Sequence, residues 1–359
     1  MAYTTVDDPS VYFQTALYTG NGTQRNITND GNSDLQPDWV WIKCRSAAEA
    51  NMLYDSSRGV TKDLRTETSA ADNTNAQGLQ AFNSDGFQIG TMQNVNYNTK
   101  TMVAWQWKAN GGTTASNTDG SITSTVQVND DAGFSIVLYT GNETDNATIG
   151  HGLSAAPDVV IVKNRETART WLVGHSAYVN GGNSENMRFN STMAVASADS
   201  AAGSGWSRNA FGSSVFTVGN GTDGDYASST NNGSDDHVAY CFRSIQGYSK
   251  FGSYKGNGNA NGTFVYTGFK PARVMVKTTS ETSNWDISTG AISANQIGER
   301  LRANLTDAEE SSGYIDFLSN GFKMRNTNTS QNKSGTSYIY MAFAESPFVS
   351  SKGVPTTAR

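Results

Sequence analysis

The sequence predicts an all-β protein made of three tandem, homologous antiparallel β-sandwich domains. Two observations carry this prediction: a composition that suits short strands joined by polar turns, and five short motifs that occur three times in one order. Apolar residues make up 36% of the chain and charged residues 16%, both below the usual shares in globular proteins. The 7 Trp, 15 Tyr and 15 Phe are nevertheless enough to build cores, so the composition does not indicate disorder.

The first repeated motif is Pro-x-x-Val-x-(Ile/Val)-Lys. It opens at Pro37, Pro157 and Pro271, which are spaced by 120 and 114 residues. Runs such as "WVWIK" and "VVIVK" are rich in β-branched and aromatic residues and are bounded by turn residues, which is typical of strands. A proline is acceptable at the first position of a strand because that residue need not donate to the ladder. The motif therefore predicts one strand per copy, with one face directed into a core.

Four further motifs keep the same order and nearly the same spacing. They are a Tyr-x-Gly-Asn turn at Tyr18, Tyr139 and Tyr254, an apolar-arginine pair at Arg65, Arg188 and Arg302, a turn followed by phenylalanine at Phe87, Phe216 and Phe322, and a closing strand at Ala104, Ala239 and Ala342. A period above 100 residues far exceeds the 20–50 residues of solenoid repeats. The motifs therefore indicate three copies of one domain.

The spacing of the motifs sets the predicted boundaries. These are an N-terminal arm (1–12), a first sandwich (13–108), a linker (109–132) with one strand in "SITSTVQV", a second sandwich (133–246), a third sandwich (247–347) and a C-terminal tail (348–359). The middle copy is the longest, and its excess at 196–212 and 219–236 is predicted to form loops. The stretch 294–305 is predicted to be a loop followed by a strand, and the three domains are expected to lie in a row.

Charge and cysteine content narrow the function classes. The net charge is −6 and the pI about 5.1, and a mildly acidic surface argues against nucleic acid as a partner. No apolar run approaches 18 residues, so membrane insertion is not expected. The start "MAYTTVDDPS" does not resemble a signal peptide, which favours synthesis in a cytoplasm. Cys44 and Cys241 are predicted to be buried free thiols.

The order Tyr-Thr-Gly-Asn-Gly, "LQPDWVWIKCRS", "NSDGF" and "VAWQWKA" resembles repeat domains in tail-fibre and other virion proteins of marine bacteriophages. Those domains are described as concanavalin A-like, laminin-G-like jelly rolls. The resemblance implies a jelly-roll-like fold and a structural protein of the virion, in a tail fibre or tail appendage. It also implies other virion proteins as partners, a homo-oligomer, and a host-surface glycan as a candidate ligand. A capsid-decorating protein of the same fold is the first alternative.

The sequence does not predict an enzyme, and no catalytic residue is assigned. His151, His175 and His237 form no i, i+4 metal pair and are expected at the surface or half-buried. The stretch "GHSAY" lacks the second glycine of a serine-hydrolase elbow. Glu309 and Glu310 are adjacent and would point to opposite faces of a strand, so they are predicted to lie in a solvated turn. A polysaccharide depolymerase remains the alternative from another class.

The stretch "GNGTDG" (219–224) matches Gly-x-Gly-x-x-Gly by letter. A dinucleotide site also needs a following helix within a βαβ unit, and "DYASSTNNGSDD" is predicted to be a polar loop, so no cofactor is expected. Aspartates in this region could supply oxygen ligands to Ca²⁺. The weak calcium candidates are Asp223, Asp225, Asp235 and Asp236, and no other metal site is predicted.

Tryptophans near predicted loops or strand ends are the candidates for glycan binding. An exposed indole can stack on the apolar face of a sugar ring, while neighbouring polar groups bond its hydroxyls. Trp206, Trp285 and Trp171 have such positions. Tryptophans within the repeated strands are predicted to be core residues instead; these are Trp39, Trp41, Trp105 and Trp107.

Overall fold

The computed structural model describes residues 3–179, 185–197, 205–219 and 224–356. The described chain is all-β, with several antiparallel sheets and three short α-helices. We call residues 13–108 the first segment, 109–246 the second segment and 247–347 the third segment. Among the described residues, no helix has the length and apolarity needed to cross a membrane.

The first segment has a main sheet and a small sheet. Its elements are β1 (Phe13–Thr19), β2 (Arg25–Ile27), β3 (Trp39–Cys44), β4 (Met52–Asp55), β5 (Lys62–Arg65), β6 (Asn73–Thr74), β7 (Leu79–Phe82), β8 (Phe87–Ile89), α1 (Gln93–Asn96) and β9 (Thr101–Trp107). The main sheet has the order β1-β9-β3-β4-β5-β6, and the small sheet has the order β2-β8-β7. A short 3-10 helix, Pro9–Val11, precedes β1.

The second segment repeats this arrangement. Its elements are β10 (Ala115–Asn117), β11 (Ser124–Asn129), β12 (Phe134–Thr140), β13 (Thr148–Gly150), β14 (Val159–Asn164), β15 (Leu172–His175), α2 (Ser176–Val179), β16 (Glu185–Arg188), β17 (Ala196–Ser197), β18 (Trp206–Phe211), β19 (Val215–Val218), α3 (Gly224–Asn231) and β20 (Asp236–Phe242). The main sheet has the order β10-β11-β12-β20-β14-β15-β16-β17, and the small sheet β13-β19-β18.

The third segment forms one continuous sheet. Its elements are β21 (Ser249–Lys255), β22 (Phe264–Tyr266), β23 (Phe269–Thr278), β24 (Asp286–Thr289), β25 (Ile297–Arg302), β26 (Glu310–Leu318), β27 (Gly321–Met324) and β28 (Ser337–Pro347). The order is β21-β28-β23-β24-β25-β26-β27-β22. The strand with the closing motif therefore has the same two neighbours in each segment. β9 lies between β1 and β3, β20 between β12 and β14, and β28 between β21 and β23.

Several local predictions can be compared with these elements. The strand expected in 294–305 is present as β25, and the predicted linker 109–132 supplies β10 and β11, which extend the main sheet of the second segment. The polar loop predicted after "GNGTDG" is wrong at 224–231, where α3 forms and buries Ala227 to Asn231. No βαβ unit results, because β20 is antiparallel to both of its neighbours. Cys44 and Cys241 are free and buried, as predicted.

The main sheets share one central apolar core. Every residue of β3 and β14 is buried, so both faces of these strands pack in a core, where only one face was expected to do so. In β3, Val40 and Ile42 pack inside the first segment, while Trp39 and Trp41 face the centre. Aromatic residues of all three segments meet there, as in the ring pairs Trp39–Tyr240 at 4.7 Å and Trp107–Phe343 at 5.3 Å. The segments thus bury apolar surface against one another.

The lysine that ends each proline motif crosses to a neighbouring segment. Each of the three is buried and donates to a backbone carbonyl that lies four residues after the arginine of the neighbour's apolar-arginine pair. The bonds are Lys43 Nζ to Thr306 O at 2.8 Å, Lys163 Nζ to Ser69 O at 3.1 Å, and Lys277 Nζ to Thr192 O at 3.4 Å. The first segment thus contacts the third, the third the second, and the second the first.

The residue that precedes β4, β15 or β24 makes a second set of bonds in the same direction. Each donates a side-chain N–H to the backbone carbonyl of the neighbour's paired arginine. The bonds are Asn51 Nδ2 to Arg302 O at 3.2 Å, Trp171 Nε1 to Arg65 O at 2.9 Å, and Trp285 Nε1 to Arg188 O at 3.0 Å. The three segments therefore close into a ring with pseudo-threefold contacts, and the expectation that they lie in a row is wrong.

One buried cation sits in the centre of the ring. Arg273 lies on β23 of the third segment, and its guanidinium is 4.9 Å, 4.8 Å and 5.3 Å from the ring centroids of Trp41, Trp105 and Trp107. Burial lowers the pKa of this guanidinium to about 9. Since the described residues place no carboxylate within ion-pair distance of Arg273, the indole faces supply its electrostatic stabilisation.

The described part of the N-terminal arm packs on the end of the second segment, on the third segment and on the C-terminal tail of the same chain. Thr4 Oγ1 donates to Gln246 O at 2.6 Å, and the Tyr3 hydroxyl donates to Gly268 O at 2.9 Å. Asp7 accepts two hydrogen bonds from Ser351.

We expect the Trp171→Phe and Trp285→Phe variants to lose more stability than Trp39→Phe and Trp107→Phe. All four indoles are buried, but Nε1 of Trp39 and Trp107 has no hydrogen-bond partner. The first two variants therefore lose packing and an intersegment hydrogen bond, an added cost of about 1 kcal/mol each. Urea unfolding of the four variants measures this difference, and equal losses would contradict the role of the indole N–H groups in closing the ring.

Candidate functional surface

The three tryptophans predicted to bind a glycan lie in the interior. Trp171, Trp206 and Trp285 are at most 1% exposed. Phe189 contacts the Trp171 and Trp285 rings edge-on, and Phe211 contacts the Trp206 ring in the same way. A sugar cannot reach a buried indole face, so the surface-stacking role proposed for these residues is corrected: two of them join segments.

The aspartates proposed as calcium ligands do not come together where the structure describes them. Asp223 and the side chain of Asp225 lie outside the described residues. Asp235 accepts hydrogen bonds from the amides of Asn164 and Asn232 at 2.8 Å and 2.6 Å. Asp236 accepts a hydrogen bond from Thr140 at 2.8 Å. The described residues contain no group of three or more side chains arranged to hold a metal ion.

All three histidines are fully buried, which corrects the expectation of surface or half-buried positions. Nδ1 of His175 accepts from the Ala177 N–H at 3.1 Å, and Nδ1 of His237 lies 2.9 Å from Asp235 O. Burial lowers the pKa of both His175 and His237 to about 4, and it also lowers the pKa of His151. The imidazoles are therefore neutral structural groups at neutral pH.

The acidic pair Glu309–Glu310 is tied to arginines, although a solvated turn was predicted. Both carboxylate oxygens of Glu309 accept from Arg45 of the first segment, at 2.7 Å and 3.2 Å. Glu310 begins β26 and pairs with Arg300 and Arg302 at 3.3 Å and 2.5 Å. These carboxylates hold segments and strands together through charge-assisted bonds.

Three aromatic side chains stand on the outer face of the third segment. Phe264 and Tyr266 on β22 and Tyr314 on β26 are 43%, 55% and 43% exposed, and no other aromatic residue of the described chain is as exposed. Burial alternates along both strands, as the period of two requires. Phe264 faces Lys323 across the ladder, and Lys323 faces Asp316, so the three rings lie on one sheet face.

The residues that correspond to Phe264 and Tyr266 in the other two segments are not aromatic. The ladder registers equate Phe264 with Asn26 and Thr148, and Tyr266 with Thr28 and Gly150. Comparing the three copies at these positions would have revealed the difference. Motifs that all three copies share cannot indicate an aromatic pair that only one copy has.

A cleft adjoins this face. It encloses about 300 Å³ between the N-terminal arm, the end of the second segment and the third segment, and its lining includes Tyr3, Gln246, Lys250, Tyr266 and Thr267. The Tyr3 and Tyr266 hydroxyls are 3.0 Å apart, so the arm forms one wall of the cleft. We call the cleft and the three exposed rings together the aromatic face.

Comparison with known proteins gives one match. The model of a family described as a domain of unknown function (DUF7483) matches residues 8–347. The chain belongs to this family. The match begins just before the 3-10 helix Pro9–Val11 and ends with β28, so the DUF7483 unit includes all three segments of the ring. No curated protein and no solved structure matched the chain.

We expect the free energy of unfolding to fall as the pH is lowered from 7 to 5. His175 and His237 have a pKa of about 4 in the folded protein, against 6.5 for an ordinary histidine. The unfolded chain binds more protons between these values, so this stability is complete above pH 6.5 and is progressively lost towards pH 4. The loss at pH 5 is about 2 kcal/mol per histidine.

Urea unfolding at pH 7.5, 6 and 5 measures this slope. The His175→Asn and His237→Asn variants should unfold with a shallower dependence on pH, whatever their stability at pH 7.5. Variants that keep the full slope of the wild type would rule out these histidines as its origin.

Proposed function

We propose that this chain is a non-enzymatic structural protein of a bacteriophage particle, in a tail fibre or tail appendage, and that it contacts the host surface. We further propose that its segments are three homologous, jelly-roll-like sandwich domains. The resemblance of the repeated motifs to phage virion domains supports the kind of particle. The observation that carries the passive, adhesive role is the distribution of chemistry: buried histidines and lysines make structural contacts, while the most exposed aromatic rings gather on one outer face.

The ring geometry suits this role. A shared core and two sets of intersegment hydrogen bonds join the segments, so these contacts hold the outer face of the ring in one arrangement. Other virion proteins and further copies of this chain are the proposed partners, with a host-surface glycan as the ligand. The described arm packs on its own chain, which favours sheet faces and edges for assembly.

We expect gold-labelled antibodies against the chain to decorate the tails of intact particles in electron micrographs, because the proposed site of action is the tail. Label on the heads would instead favour a capsid-decorating protein of the same fold. Purified particles that contain no peptides of this chain by mass spectrometry would contradict a virion role altogether.

A polysaccharide depolymerase remains the second candidate. The observation that favours it is a cleft of about 300 Å³ lined by three carboxylates, those of Asp8, Asp30 and Glu345, since glycoside hydrolysis needs a pair of acids. Incubation of the purified chain with host envelope polysaccharide should release no reducing ends. Release that disappears in the Asp30→Asn and Glu345→Gln variants would replace the structural proposal with the enzymatic one.

A further inference from the structure

The third segment differs from the other two in charge as well as in its aromatic face. It has ten basic and eight acidic residues, a net charge of +2. The first segment has eight basic and nine acidic residues (−1), and the second has six and thirteen (−7). Although Arg273 and Lys277 are buried, this asymmetry within one acidic chain favours a partner of negative charge for the third segment.

Two lysines place positive charge beside the exposed rings. Lys323 is the cross-strand neighbour of Phe264, and Lys250 lines the cleft with Tyr266. Asp316, the carboxylate nearest to Lys323 along the ladder, pairs with Arg325 at 3.3 Å. The described residues place no carboxylate oxygen within ion-pair distance of Lys323 or Lys250, so both ammonium groups are available to a ligand.

Two of the three exposed rings lie directly against glycines of the sheet. A Cβ added at Gly321 would meet Phe264 Cε2 at 3.1 Å, and one added at Gly298 would meet Tyr314 Cε1 at 3.0 Å. These rings rest on bare backbone, and their other sides face solvent. Flat apolar rings beside unpaired cations suit a polymer of sugar rings that carry carboxylates, because the rings stack on apolar sugar faces and the lysines pair with the acids.

We propose that the aromatic face of the third segment binds an acidic, uronate-containing polysaccharide. This rests on the proposed function, since it names the class of glycan and its site. Phe264, Tyr266 and Tyr314 stack on sugar rings, Lys323 and Lys250 pair with the carboxylates, and Gln246 and Thr267 bond hydroxyl groups in the cleft. The first and second segments lack rings at the positions of Phe264 and Tyr266 and do not bind.

The test is native affinity electrophoresis of the full chain in gels that contain polygalacturonate, alginate, hyaluronate or the envelope polysaccharide of the host, with neutral dextran as the uncharged counterpart. At least one of the acidic polymers should retard the protein, and dextran should not. Phe264→Asn with Tyr266→Thr places the first-segment residues Asn26 and Thr28 at these positions. This variant should weaken binding about tenfold or more, as loss of central aromatic contacts does elsewhere.

The matched control is Leu17→Asn, which also replaces an exposed apolar residue, on β1 of the first segment, and should bind as the wild type does. Tyr266→Phe keeps the ring and should keep most of the affinity. Lys323→Gln should weaken binding and reduce its dependence on salt. Unchanged thermal unfolding of each variant separates loss of the face from loss of the fold.

Retardation by none of the acidic polymers, equal retardation by dextran, or full binding by the Phe264→Asn, Tyr266→Thr variant would each overturn the proposal. If the wild type binds no polysaccharide and the Phe264→Asn, Tyr266→Thr variant fails to enter particles, the face contacts another protein and the proposal is overturned. None of these results depends on where antibodies label the particle, so the polysaccharide site and the virion role can fail separately.

Discussion

The closed ring depends on apolar burial between the segments. Trp39, Trp41 and Trp107 of the first segment meet aromatic residues of both other segments, and the burial of such large rings is the dominant favourable term in folding. The directional groups then fix the register. The lysine, asparagine and indole bonds are individually modest, but they recur at corresponding positions of the three segments and in one rotational sense, which selects one arrangement of the three sheets.

Sequence reasoning could predict the strands because each repeated motif carried local information. Turn residues, β-branched runs and the spacing of Pro37, Pro157 and Pro271 located β3, β14 and β23. The arrangement of the segments could not be predicted in this way. Continuous apolar runs such as "WVWIK" are typical of strands covered on both faces, but nothing local indicates that another segment of the same chain covers the second face.

The candidate site was predicted less well for a related reason. Trp171 and Trp285 stand at strand ends, where an indole could be exposed, and only the neighbouring segment buries them. Two of the exposed rings, Phe264 and Tyr266, lie in the strand "FVY", where they stand in place of polar or small residues of the other segments. Similarity between copies reports the shared fold, whereas the differences report what one copy does alone.

The shared core also bears on how the chain is made. Trp39 and Trp107 of the first segment face partners in β20 and β28, which are synthesised last in their segments. At roughly 5–20 residues per second, the ribosome needs on the order of 15–60 s to travel from Trp39 to Phe343. Throughout that interval the inward indoles of the nascent chain lack their final cover, which leaves apolar surface open to aggregation during synthesis.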